Sequence, residues 1–568
     1  MAYILILVKF GVDIMKLNGS QIVMEVLLEQ GVDTVFGYPG GTALNVYDSL
    51  YDYQDKIHHI ITAHEQGAAH AADGYARATG KTGVVFSTSG PGATNLVTGI
   101  ATAFLDSVPM VAITCNVAGQ AIGRDSFQEV SITGVTLPIT KHNFFVNHIV
   151  DLAPALRNAF RIANEGRKGP VLVDITKDIT DPKCLCEYTK MKPLKLKPVP
   201  KISDEVLNEI VEVMKMAKKP VIYYGGGLAA SGARKQLQKL VEVYDCPATY
   251  TLMAAGTLDY DNPKSLGLIG MHGSMAANRA IDEADLVIAL GTRFSDRVAL
   301  NPKRFAQRAA IIQVDIDESE INKNVVVNYN VIGDVKDVLN RLIPLIPQSD
   351  HHEWLDKVTH WKKEVNIELE GAKIRPKELV EAACDLSDTE SIYVTDVGQH
   401  QLWAAQYIKH HKAENFLTSG GLGTMGYGYG AAIGAAVGCP DKRVVMFTGD
   451  GSFHMNLNEC CTAVTNNLPI ITIIFDNKVL GMVYQWQTVF YKKHYSQTIL
   501  NRKTDYVKLA EGFGAKGYAV DTIEEFKQAY QEAQKINGPV WIACSIAKEE
   551  RVLPMIPNGG TIDDMIVD

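Results

Sequence analysis

Nothing in this sequence is apolar for long enough to span a bilayer, which takes roughly 20 residues of helix. The opening run Ala2-Tyr-Ile-Leu-Ile-Leu-Val8 falls far short, and no small-residue cleavage site follows it. Neither a membrane anchor nor a secretory leader is expected, and the chain reads as cytoplasmic. A basic stripe is also missing. The formal net charge is −9, which denies nucleic acid and anionic membranes the electrostatic footprint they need and leaves small molecules as the expected partners. Cysteine is sparse and odd in number. The nine include Cys184-x-Cys186 and the adjacent Cys460-Cys461 but no doubled C-x-x-C of a zinc site, so reduced thiols are expected. With 46% hydrophobic and 21% charged residues, neither a disordered nor a fibrous chain is in view. No close internal repeat is visible.

What is present is length and rhythm. A chain of 568 residues exceeds a single core and suggests three to four units of about 150 residues. Short β-branched runs recur, most of them ending in glycine or a small polar residue before a helical pattern: Thr34-Val-Phe36, Gly83-Val-Val-Phe86, Val111-Ala-Ile-Thr114 and Val171-Leu-Val-Asp-Ile175. Strands that alternate with helices make parallel βαβ units, so the expected class is α/β with doubly wound parallel sheets. Two stretches lack the rhythm and read as linkers: Pro182 to Lys201, dense in proline and lysine, and Pro344 to Pro376. They divide the chain into a first domain over 16–185, a middle domain over 202–345 and a third over 375–550. Residues 1–15 are an N-terminal extension and 551–568 a C-terminal tail.

In the middle domain, Pro220-Val-Ile-Tyr-Tyr-Gly225-Gly226-Gly227, Ala284 to Gly291 and Ile311 to Asp317 each read as a buried strand ending in glycine or aspartate. Ligands of doubly wound sheets bind at such ends, although a glycine triplet alone is equally a tight turn. The third domain is more specific. Arg443-Val-Val-Met-Phe-Thr-Gly449-Asp450-Gly451-Ser452 and Leu468-Pro-Ile-Ile-Thr-Ile-Ile-Phe-Asp476-Asn477 are two apolar strands closed by oxygen-bearing side chains. If they lie adjacent and parallel, Asp450 and Asn477 converge on one sheet edge. Together with a carbonyl at Val479 they would suit magnesium, which takes one or two carboxylates and completes its shell with phosphate and water.

This segment resembles the diphosphate and magnesium motif of thiamine-diphosphate enzymes, and from about Leu17 to Gly560 the chain resembles the catalytic subunits of the acetolactate synthase family. The resemblance implies three domains, pyrimidine-binding, central FAD-type and diphosphate-binding, with thiamine diphosphate, Mg2+ and FAD as cofactors. It further implies that Glu65, in His64-Glu65-Gln-Gly-Ala-Ala-His, hydrogen-bonds the cofactor pyrimidine and acts in catalysis with Gly41 and Gln128. Val397, Gly398, Gln399, His400, Gly449, Gly451 and Ser452 hold the diphosphate, and Met425 forces the bent cofactor shape. Decarboxylating a 2-keto acid requires an electron sink that no side chain offers and this cofactor does.

By the same resemblance, Phe127, Lys177, Met271, Arg297, Met482 and Trp486 line the substrate path. Arg297 receives the carboxylate of the second keto acid through its guanidinium fork; otherwise it is a surface residue paired with Asp296. Trp486 senses the methylene that separates 2-ketobutyrate from pyruvate. Arg167, Gly225 to Gly227, Thr251, Leu252, Gly291, Arg293, Asp315, Gly333 and Asp334 resemble flavin contacts. The implied assembly is a homodimer or dimer of dimers, Glu65 of one chain facing Asp450 of the other, with a possible regulatory small subunit. A flavin-dependent pyruvate oxidase and the fermentative, flavin-free acetolactate synthase share this plan. Departures from the family pattern are Asp476 for asparagine, Ser295 for aspartate, Tyr429-Gly430 for Leu-Pro, and Ala118 and Thr42 at channel-mouth positions often filled by proline and alanine.

Overall fold

In a computed structural model of the chain, residues 14–363, 374–409 and 412–567 are described. They form three six-stranded sheets, all parallel, one per domain. The first sheet runs His58–Ile61, Thr34–Gly37, Gly83–Ser87, Met110–Asn116, Pro170–Thr176, His142–Val146. The third runs Phe416–Leu417, Ile392–Thr395, Val444–Gly449, Ile470–Asp476, Val540–Ser545, Lys516–Val520. Read in each domain's own chain order, both follow 2-1-3-4-6-5, whereas the middle sheet follows 3-2-1-4-5-6. Successive residues of a strand face opposite sides. Val84 and Phe86 enter one apolar cluster and Val85 another, and Val444 and Met446 part likewise from Val445 and Phe447, so both faces of these sheets are covered.

The first and third domains share a core. Helix Glu65–Thr79, in which Gly67 through Ala76 are buried, lies against helix Tyr427–Gly438. The approach is close enough that a Cβ on Gly74 would stand 2.2 Å from the Ala431 carbonyl oxygen, and one on Gly434 1.9 Å from that of Ala71. Only small residues let two helices meet backbone to backbone in this way. The Tyr429-Gly430 departure belongs to the same seam: Gly430 faces Gly67, while the buried Tyr429 hydroxyl accepts from Trp541 Nε1 at 3.1 Å.

Four expectations about connections are corrected. Ile14–Asn18 is a strand, not the end of an extension, and it pairs antiparallel with Leu185–Thr189 inside the first expected linker. The pairing is held by buried Glu29, which accepts from Arg157 at 2.7 and 2.8 Å and from the Met191 amide at 2.7 Å; its third partner is the Tyr188 hydroxyl. Residues 1–13, the rest of the expected extension, lie outside the described residues. His352–Lys363, inside the second expected linker, is a helix whose Trp354, Val358 and Trp361 are buried against the middle domain. The i, i+4, i+7 spacing is the helical stripe that the flanking prolines obscured in the sequence. Finally, the C-terminal residues are no loose tail: Val552, Leu553, Met555 and Ile556 are buried, and Met555 exchanges backbone hydrogen bonds with Ile566.

Candidate active site

In a doubly wound sheet the crevice opens where the strand order reverses. In the third sheet this lies between Ile392–Thr395 and Val444–Gly449, which places the following residues, Val397, Gly398 and Gln399 on one side and Asp450 on the other, at the same carboxyl edge. Val444–Gly449 and Ile470–Asp476 are adjacent and parallel, Gly449 opposite Phe475, so Asp450 and Asn477 emerge beside one another. Helix Asp450–Asn456 begins on the aspartate itself. Burial pushes the Asp450 carboxyl up to about 7, and the charge of Asp476 pushes the same way. Asp476 pairs with Lys478 through one oxygen, while its Oδ1 is buried without a partner. Asn477 Oδ1 accepts from the Val479 amide at 3.1 Å, which leaves it a second lone pair. A buried carboxylate beside a second one that keeps an oxygen unpartnered fits a hard cation. Among the described residues no three His, Cys, Asp or Glu side chains converge on a point, so the cation would need oxygens from a ligand.

The diphosphate positions are equally incomplete. His400 is buried, which holds its ring neutral with a pKa lowered to about 3, and its Nε2 has no partner. A neutral imidazole N–H pointing into a crevice fits a phosphate oxygen. Gly398 and Gly449 hug this ring: a Cβ on either would come within 2.9 Å of it. Buried Gln399 donates to Gln485 Oε1 at 2.9 Å and to the Glu550 carbonyl at 3.0 Å. Gly426 N, following Met425, donates to Asp396 Oδ1 at 2.7 Å and Ser452 Oγ at 3.3 Å, and the Met425 Cε lies 4.0 Å from the Cβ position of Gly451.

The first domain gathers its own set. Glu65 opens helix Glu65–Thr79, capped by the His64 ring, which accepts from Gln66 N at 3.0 Å. Its Oε2 accepts from Asn95 Nδ2 at 2.9 Å, and its Oε1 lies 3.1 Å from the Cβ position of Gly92. Gly41 borders open space, and Gln128, in a left-handed conformation (φ 61°), backs onto Gly90. Phe127 is 87% exposed, and Lys177 is exposed beyond strand Pro170–Thr176. Within one chain no hydrogen bond among the described residues joins Glu65 to Asp450 or Asn477. Met271, buried, packs with Trp486 through Leu553 and Met555, and its amide donates to the Arg297 carbonyl at 2.8 Å. The Arg297 side chain itself is exposed and stands 3.9 Å from Asp296. Met482 packs at the edge of the third domain's core.

Around the middle crevice the glycines answer to the fold. A Cβ on Gly225 would lie 2.6 Å from the Gly291 carbonyl oxygen, one on Gly227 2.8 Å from Gly291 Cα, and one on Gly291 2.4 Å from Leu228 N. Asp334 caps helix Val335–Leu342, and Gly333 N bonds the Asp315 carbonyl. The Thr251 amide bonds the Tyr224 carbonyl, and Leu252 opens a short 3-10 turn. Both arginines are engaged: Arg167 with Ser107 Oγ, Glu320 and Asp317, and Arg293 with the Leu105 carbonyl at 2.8 Å.

Comparison with known proteins now adds the lineage. Residues 17–135 match the thiamine pyrophosphate enzyme N-terminal TPP binding domain, 207–342 the central domain, and 396–544 the C-terminal TPP binding domain. The "Probable acetolactate synthase large subunit" of Methanocaldococcus jannaschii is 42% identical, covering 97% of this chain and 95% of that protein. The "Acetolactate synthase large subunit" of Lactococcus lactis is 41% identical over 97% and 96%, and the Escherichia coli "Acetolactate synthase isozyme 2 large subunit" 42% over 97% and 99%. The chain belongs to the acetolactate synthase large-subunit family. The edge that carries Asp450 and His400 therefore falls in the C-terminal TPP binding domain, and Glu65 in the N-terminal one. No helix among the described residues is long and apolar enough to cross a membrane.

Several contributors carry no motif. Glu459, buried and with its carboxyl pushed up by that burial, accepts from the Ala63 and His64 amides at 3.1 and 3.0 Å and so sets the loop entering Glu65 from the third domain. Asn95 and Gln485 likewise act through partners distant in sequence. The one visible signal was Gly90-Pro91-Gly92, a helix start pointing Asn95 back at Glu65.

Proposed function

We infer that the chain is the catalytic subunit of an acetolactate synthase, which decarboxylates pyruvate and joins the two-carbon unit to a second pyruvate or to 2-ketobutyrate. The observation that carries this is the third-domain edge, where burial pushes the Asp450 carboxyl up and leaves Asp476 Oδ1 and His400 Nε2 without partners. Bound thiamine diphosphate supplies the electron sink for decarboxylation. Asp450, Asn477 and the Val479 carbonyl hold Mg2+, and residues 397–400 and 449–452 hold the diphosphate. Glu65, oriented by Asn95, holds a proton at the cofactor pyrimidine, assisted by Gly41 and Gln128. Met425 bears on the cofactor from the side.

Arg297 takes the acceptor carboxylate, and Met271, Met482, Trp486, Phe127 and Lys177 bound the substrate path. By the family likeness Glu65 of one chain faces Asp450 of another, so two chains complete each site, as a homodimer or a dimer of dimers. The large-subunit relatives support a regulatory small subunit as a further partner. FAD would be held by the middle domain at the strand ends that carry Gly225–Gly227, Gly291 and Asp315, with Arg167 and Arg293 nearby. The location is cytoplasmic, in keeping with nine free cysteines.

The test is to incubate purified protein with pyruvate, thiamine diphosphate and Mg2+ while following acetolactate and oxygen together. Acetolactate without oxygen uptake is expected; oxygen uptake without acetolactate would mean an oxidase. A visible flavin spectrum in the same preparation separates the biosynthetic from the flavin-free type.

A further inference from the structure

Helix Val97–Leu105 ends in a turn, Leu105-Asp106-Ser107, on which all three domains converge. The Leu105 carbonyl accepts from Arg293 of the middle domain. Ser107, left-handed at φ 59°, accepts from Arg167 Nε at 2.9 Å, and the same arginine is paired with Glu320 and Asp317 of the middle domain. Between them Asp106, its side chain wholly buried, accepts from Arg77 Nη2 at 2.8 Å, from Gly420 N at 3.1 Å and from Gly421 N at 2.6 Å. A carboxylate that receives two consecutive backbone amides fixes the direction of that backbone as well as its position.

The backbone so fixed is the loop 418–426, which carries Met425. It is clipped twice more from the first domain: the Thr418 carbonyl accepts from Arg77 Nη1 at 3.1 Å, and the Thr424 and Thr102 hydroxyls bond at 2.8 Å. Its far end touches Asp396, Ser452 and Gly451, the last two within the diphosphate segment. Both glycines are closely packed: a Cβ on Gly421 would lie 2.8 Å from Asp106 Oδ1 and 2.9 Å from the Leu105 carbonyl oxygen, and one on Gly420 would displace the Met253 side chain, whose sulfur is 2.2 Å away. A buried charge cluster is a costly way to hold domains together, since apolar packing does so as well. What it adds is a defined geometry for the loop.

We propose that Asp106 is a positioning residue that sets the Met425 loop against the thiamine diphosphate site, and that its turn, braced by Arg167 and Arg293, is where the middle domain bears on that loop. The proposal rests on the functional reading above. Asp106→Asn keeps the shape but sets an amide against the Gly420 and Arg77 donors. In the holoenzyme this variant should bind thiamine diphosphate at least about tenfold more weakly by calorimetry, with a lower kcat and a KM for pyruvate changed less than about twofold. A role confined to folding would lower the melting temperature and leave the affinity of the folded variant unchanged, and that result overturns the proposal. Should Asp106→Asn fail to fold, Thr102→Val removes the second clip isosterically: about threefold weaker thiamine diphosphate binding supports the proposal and unchanged binding overturns it. A wild type that neither binds thiamine diphosphate nor forms acetolactate overturns the functional reading and the proposal with it. A competent wild type beside an unaltered variant overturns the proposal alone.

Discussion

The middle and third domains present the same kind of edge, glycines and aspartates at the carboxyl ends of parallel strands, yet the two edges differ in how tightly their backbones close. Around Gly225, Gly227 and Gly291 the backbones close on one another, so a side chain is excluded whether or not a ligand is present. Around Asp450 and His400 the protein instead buries a carboxylate whose charge that burial disfavours, and leaves Asp476 Oδ1 and His400 Nε2 without partners. Buried polar groups are nearly always paired, so these atoms point to a ligand, as do Thr292 Oγ1 and the Tyr224 hydroxyl beside the middle glycines, whereas the glycine packing itself does not.

The largest effect that would sharpen this contrast is expected at Gly291→Ala. The position has φ 59° and faces the Leu228 amide, so left-handed strain and overpacking together should cost about 4 kcal/mol, seen as a lower urea midpoint with or without flavin. If added flavin abolished the loss, the glycine would serve the ligand after all. Next comes Asp315 on the same edge, whose carboxyl burial raises from 3.8 to about 6. The folded state then holds the proton more tightly than the unfolded chain, so this stabilisation is complete at low pH and disappears as pH climbs through about 6. Flavin-free wild type should lose on the order of 3 kcal/mol between pH 4 and 7 relative to Asp315→Asn; parallel pH profiles of the two would refute it.

On the third edge the sign should reverse, affinity falling while stability holds. Asp450→Asn is expected to weaken Mg2+ binding about a hundredfold, or about 2.7 kcal/mol, with no loss in the melting temperature of the apoprotein. His400→Ala should cost about tenfold in thiamine diphosphate affinity by calorimetry. Smallest, Trp486→Leu should change the ratio of 2-ketobutyrate to pyruvate use by about 1 to 3 kcal/mol in a competition assay.

The strands and their ligand-facing ends were legible because apolar runs closed by glycine or aspartate are local signals. The meeting of Asp450 and Asn477 at one sheet edge is readable from the sequence for that reason. The roles of Glu459, Asn95 and Asp106 are not, because each acts on a backbone or side chain far away in sequence that only the packed domains bring near. The linkers misled for a related cause. Leu185–Thr189 is a strand by virtue of a partner some 170 positions away, and the Trp354, Val358, Trp361 stripe is masked by the prolines before it. Arg297 shows the opposite limit: its candidate role comes from resemblance, and in the single chain its side chain reaches only Asp296.

The seam between helices Glu65–Thr79 and Tyr427–Gly438 bears on how the molecule comes apart. One apolar cluster runs through it from the first sheet to the third, while the middle sheet keeps clusters of its own. Cooperative units follow shared burial rather than chain order. Calorimetric melting should accordingly show two transitions rather than three, the outer domains unfolding together although residues 136–395 separate the segments matched in them.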